Sequence, residues 1–199
     1  VTSAPVAILA EEGNLISNME KLCQLQNMDL IIMGITGSTR LDQILMGSNT
    51  LHVIQQEICP VMIIPPDAQY RKINTAIFAS NFKDVEATTP IKTLRKLLDI
   101  FKPVLHVVNV DTEHFVELTE EYKAERAKLD KMLLGYNPEY SFIRMYDFVD
   151  SINLFAKDRN ADLIITVPKK HSFLSGLFKT SHTRKLAYHS HIPILTVQE

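Results

Sequence analysis

Two kinds of apolar run alternate along this chain. Short continuous ones, rich in branched side chains, predict strands: PVAIL (5–9), DLIIMG (29–34), PVMII (60–64), INTAIFAS (73–80), VLHVVNV (104–110), SFIRM (141–145), DLIITV (162–167) and PILTV (193–197). Between them apolar positions recur every three or four residues. Leu15, Ile16, Met19, Leu22 and Cys23 predict one helix. Others are expected over about 48–58, from the Thr89-Pro90 start to about 101, and over about 114–134, 148–158 and 180–189. Strand and helix in alternation is the pattern of an α/β fold, a parallel sheet covered on both faces. DLIIMG has no polar alternation after its aspartate, so it is expected to be buried on both sides.

PPDAQYRK (65–72) interrupts the pattern with paired prolines and polar residues, which predicts a boundary. We therefore divide the chain into a first unit (1–66), a linker (67–72) and a second unit (73–199). The units repeat. Residues 28–65 align with 161–198 at a constant offset (161 − 28 = 133) and without a gap. Asp29 to Ile32 falls on Asp162 to Ile165, Ser48 on Ser181, Thr50 on Thr183 and Pro60 on Pro193. The second copy has five strands and four intervening helices; the first starts only at the third strand.

Gly34, Gly37 and Gly47, half of the chain's 6 glycines, lie together in the first copy with the spacing G-x2-G-x9-G-S, between a predicted strand and a predicted helix. A phosphate chain needs close backbone amides and the partial positive charge of a helix N-terminus, and a Cβ at a crowded position would hold the anion away. Ser48, Asn49 and Thr50 add hydroxyl and amide donors at the helix start.

This segment resembles the nucleotide-binding loop of the universal stress protein family, and DLIIMG and CPVMII are similar to that family's fourth and fifth strands. The chain as a whole looks like a tandem pair of such domains. The resemblance implies a duplicated, Rossmann-like open parallel five-stranded sheet of order 3-2-1-4-5 with helices on both faces. It also implies that Gly34, Gly37, Gly47, Ser48 and Thr50 contact the ribose and phosphates of ATP, with or without Mg, in a stress-response protein of the cytoplasm. The second copy departs from the family pattern: Val167, Lys170 and Thr180 stand at the glycine positions, and Asn81 stands where the family carries an aspartate that reads the adenine and ribose. The second unit is therefore expected to be structural or interaction-bearing and not to hold ATP in the family manner. A nucleotide-independent scaffold and a slow ATP hydrolase are the alternatives; no general base or carboxylate metal site within these residues favours the hydrolase.

In the 3-2-1-4-5 order PVAIL would be separated from DLIIMG by a gap two strands wide, although a neighbour is needed about 5 Å away. The natural protein is thus expected to hold roughly 70–90 further residues before Val1, on the usual domain size, or to receive the missing strands from another chain. The apolar fifth strands, PVMII and PILTV, are expected to pair with each other and make a pseudo-dimer of the two units; a further homodimer stays open.

Charge and composition narrow the rest. With 21 basic and 23 acidic residues the chain has no field that favours nucleic acid or a membrane surface. Its apolar runs fall far short of the ~20 residues that span a bilayer. Cys23 and Cys59, the only cysteines, read as core residues in a reducing compartment and not as a disulfide framework. His171, His182, His189 and His191 lack the companions of a metal site. The charged helix over 114–134 reads as a solvated face, and no nucleophile and base pattern supports hydrolysis.

Overall fold

The structure, a computed structural model, describes residues 5–34, 48–66, 68–111, 119–145, 147–168, 186 and 190–198. Local chemistry sets the helix ends. The side chain of Asn14 accepts from the backbone N–H groups of Ile16 (2.9 Å) and Ser17 (3.2 Å), capping α1 (Leu15–Gln26). At its other end Asn27 takes the left-handed conformation (φ 49°) that asparagine tolerates, and returns its N–H to the Cys23 carbonyl. The order continues as β1 (Ile31–Gly34), α2 (Ser48–Gln56), β2 (Val61–Ile64), β3 (Thr75–Ala79), α3 (Val85–Thr88), α4 (Ile91–Phe101), β4 (Val104–Asp111), α5 (Glu120–Met132), β5 (Glu139–Arg144), α6 (Phe148–Asp158), β6 (Leu163–Thr166) and β7 (Ile194–Thr196).

The expected class holds, a mostly parallel sheet with helices on both faces, but the two copies share one sheet of order β1-β2-β7-β6-β3-β4-β5. From β5 to β7 the five strands of the second copy run in the order third, second, first, fourth, fifth, all parallel. The fifth strands then meet: β2 pairs with β7 antiparallel, Met62 opposite Leu195. Thr196 Oγ1 adds a 3.1 Å bond to the Val61 carbonyl across this junction.

Alternating sheet residues feed two cores. Ile31, Val61, Ile63, Ile77, Val108 and Ile164 pack with α2 and α6 on one face; Met62, Phe78, Leu105, Val107, Leu163 and Leu195 pack with α4 and α5 on the other. The duplication extends to register. Ile31 opposite Val61 becomes, 133 residues on, Ile164 opposite Ile194, and the bond from Ile31 N–H to the Pro60 carbonyl (2.9 Å) recurs from Ile164 to Pro193 (3.0 Å).

Several expectations need correction. PVAIL forms no strand: residues 5–9 are exposed, Ile8 to 94%, because no described backbone offers this segment a hydrogen-bonding row. DLIIMG is not buried on both faces; β1 is an edge paired only with β2 among the described residues, and Ile32 is 63% exposed. Pro90 is the N-cap of α4 and not its first residue, since the preceding turn is occupied by α3, which the periodicity does not announce. The helix expected over 180–189 lies outside the described residues apart from Leu186.

Candidate functional site

In the first unit β1 delivers Gly34 to the end of the sheet from which α2 departs. Thr50, 3% exposed in the first turn of α2, donates its hydroxyl to the Gly34 carbonyl at 3.0 Å. This bond ties the end of the strand to the start of the helix and fixes the two ends of the glycine segment relative to each other. It also commits the Thr50 proton to protein, leaving the hydroxyl only its lone pairs. Ser48 begins α2 and Asn49 is exposed beside it. The first turn carries no acidic side chain, so its orphan backbone N–H groups and the positive end of its dipole face no competing carboxylate there. Gly37 and Gly47 lie outside the described residues.

Glycine at position 34 is not required by the described protein itself. Its φ lies outside the left-handed region, and a Cβ built on it would meet no heavy atom of the described residues within 4 Å. Among the described residues nothing fills the place where a side chain would stand at this strand end.

The equivalent place in the second unit is differently furnished. β3 and β6 are neighbours whose connections leave toward opposite sides, the topological switch point at which open α/β sheets bind ligands. Here Val167, at the position of Gly34, lines a cavity of about 10 Å³ together with Phe78, Ala79, Ser80, Asn81, Thr88 and Thr89. That is room for about one water. Asn81 is 8% exposed; its side-chain oxygen accepts from the Lys83 N–H at 3.3 Å, while its amide nitrogen has no hydrogen-bond partner among the described residues. Ser80 is fixed by its neighbours, its carbonyl accepting from the Asn109 amide at 2.8 Å.

The following turn is unusual. Phe82 and Asp84 both have positive φ (47° and 46°), a conformation that costs a bulky residue ~1–2 kcal/mol. Aromatic packing offsets this: Phe82 is buried against Tyr122 and Tyr140, with ring centroids 4.8 and 6.1 Å away, and burial holds the Tyr122 phenol up at about 12. Glu125 of α5 accepts from Lys128 Nζ (2.5 Å) and from the Val85 N–H at the start of α3 (2.8 Å), and these two bonds, in that order, hold its carboxyl below the usual range. Nothing in the residue pattern announces this turn; SNFKD reads only as a polar loop.

The other candidates separate. Among the described residues no three His, Cys, Asp or Glu side chains come together as a metal site; His191 is exposed, and His171, His182 and His189 lie outside the described residues. Cys59 is buried and Cys23 partly buried, both against the core that contains α6. Among the described residues no helix is long and apolar enough to cross a membrane.

Comparison with known proteins agrees with this architecture. The model of the universal stress protein family matches residues 5–65 and 101–198. Similar solved structures include a functionally unknown protein from Pseudomonas aeruginosa PAO1, with a TM-score of 0.64 at 14% identity over 94% of this chain and 68% of that one. A universal stress protein from Archaeoglobus fulgidus DSM 4304 gives a TM-score of 0.61 at 15% identity, over 92% of this chain and 65% of that one. The chain thus spans about two thirds of the length of these structures. A shorter universal stress protein from Archaeoglobus fulgidus, solved in complex with dAMP, gives a TM-score of 0.46 at 12% identity over 64% of this chain and 100% of its own. No curated protein matches the chain. With the family pattern found twice, over most of its length, the chain belongs to the universal stress protein family.

Proposed function

We propose that this protein is a cytoplasmic, ATP-binding stress-response protein in which the first unit (1–66) holds the nucleotide and the second (73–199), joined by the 67–72 linker, is a structural or interaction-bearing partner. The single observation that supports this is the open strand end at Gly34, bonded through Thr50 to the first turn of a helix free of acidic residues. In this reading the amides of Gly34, Gly37 and Gly47 and those of the first turn, with Ser48 and Asn49, receive the phosphates of ATP, with or without Mg. Thr50 acts by holding the loop base, its hydroxyl proton being already engaged. The antiparallel β2 and β7 pair relates the units as a pseudo-dimer.

ATP acts here as a ligand that favours one conformation or assembly and not as a substrate. In the second unit Val167, Lys170 and Thr180 stand at the glycine positions, which favours a unit that takes no nucleotide in the family manner.

Calorimetric titration of the full-length protein with ATP, repeated on the Gly34→Val, Gly47→Thr double variant, tests the proposal. The variant imports the second copy's residues. Saturable heat in the parent and none in the folded variant is expected; heat that survives both substitutions removes the loop from binding.

A further inference from the structure

The two cysteines, far apart in sequence, meet in the fold. Cys23 lies in the last turns of α1, and its carbonyl accepts from the N–H groups of Asn27 and, at 3.1 Å, of Met28 as the chain reverses. The Met28 carbonyl in turn accepts the Cys59 thiol at 3.3 Å. This relay of bonds through Met28 brings Cys59, in the turn before β2, to the end of α1 that carries Cys23, and both side chains pack in the same core. α1 itself contains no fully buried residue and is held to the core by Ile16, Met19 and Cys23.

We propose that Cys23 and Cys59 form an oxidisable pair, a site at which exchange with a small disulfide such as oxidised glutathione closes an intramolecular bond. Cys23, the partly exposed member, reacts first, its thiolate attacking one sulfur of the small disulfide. Its thiolate displaces one glutathione thiolate to give a mixed disulfide; the Cys59 thiolate then attacks the Cys23 sulfur and releases the second. Two thiol protons leave with the two glutathiones, and one disulfide is reduced for the one formed. The bond fastens α1 to the start of β2 and encloses residues 24–58, the glycine segment included.

Exchange is slow by construction. Burial, ahead of the neighbouring thiol, raises Cys59 to about 11; burial raises Cys23 as well. The charged groups acting on the pair are Asp29, which raises Cys59, and Lys96, which lowers it, and these two form an ion pair with each other. The reaction therefore accelerates with rising pH, and the reduced pair persists at neutral pH without oxidant.

The test is incubation of the folded full chain with oxidised glutathione at mildly alkaline pH, acid quenching, alkylation after unfolding, and mass spectrometry. Expected is a monomer two hydrogens lighter, with neither thiol alkylated, whose non-reduced digest links the Cys23 and Cys59 peptides. Its thermal midpoint should rise by several degrees. Cys59→Ser should halt at the glutathione adduct of Cys23. A parent that accumulates the Cys23 adduct without passing it to Cys59, that links only between chains, or that keeps both thiols until the fold is lost overturns the proposal.

Discussion

One sequence unit occurs twice in this sheet, at its edge and in its interior, and location has made the copies unlike. Ile32 and Ile165 are equivalent (32 + 133 = 165), yet the first is 63% exposed and the second 1%. β6 has β3 on one side and β7 on the other, whereas β1 has only β2 among the described residues. The flanking aspartates diverge in the same way. Asp162 accepts from the backbone N–H groups of Asn74 (2.9 Å) and Thr75 (3.1 Å), fixing β3 to β6, while Asp29 forms an exposed ion pair with Lys96 of α4. The interior copy has taken on packing at the place where the edge copy keeps an open glycine. The Asp-Leu-Ile-Ile start that the two strands share thus serves a core in one place and an exposed edge in the other, depending on what lies beside it, while the change from Gly34 to Val167 is written in the sequence.

The contrast can be broken by substitution. Ile165→Ala should cost ~2–5 kcal/mol in denaturant unfolding, and Ile32→Ala no more than about 0.5 kcal/mol; equal losses would mean that β1 is as enclosed as β6. Replacing Asp162 by Ala leaves two backbone donors without their charged acceptor, an expected loss of ~1.5–3 kcal/mol. The same change at Asp29 removes an exposed pair worth at most ~1 kcal/mol. Thr50→Val keeps the shape of the side chain and deletes its bond to Gly34, which should lower stability by ~1 kcal/mol and weaken nucleotide binding. A variant that binds ATP undiminished would detach the loop base from the site.

The smallest expected effect belongs to Glu125. Because its carboxyl is held below the usual range, its stabilisation is complete above the ordinary carboxylate value and is lost as pH falls through the depressed one. Glu125→Gln should therefore be less stable than the parent at neutral pH, with the difference shrinking in acid below about pH 4. A constant difference across that range would show that the carboxylate charge contributes nothing.

Much of this was legible beforehand because the signals are local or repeated. Alternation of strand and helix periods gave the class, and the offset of 133 gave the equivalence of the two copies, which the structure extends to the register of Ile31 with Val61 and Ile164 with Ile194. What escaped depends on neighbours distant in sequence. PVAIL has a strand's composition, but composition supplies no partner for its N–H and C=O groups. DLIIMG and DLIITV read alike, and only the sheet order makes one an edge. The left-handed turn at Phe82 rests on packing by Tyr122 and Tyr140. Of the candidate site, the strand end, the helix start and their convergence are described. That Thr50 turns inward to Gly34 could not be read from a serine and threonine pattern equally suited to donating outward.

The asymmetry of the two copies is tested most directly by hydrogen–deuterium exchange of the full-length protein, followed peptide by peptide with and without saturating ATP. Protection confined to residues 34–51, with none over the equivalent 167–184, is the predicted result. Protection over 167–184, or ATP binding that leaves 34–51 unprotected, would contradict it.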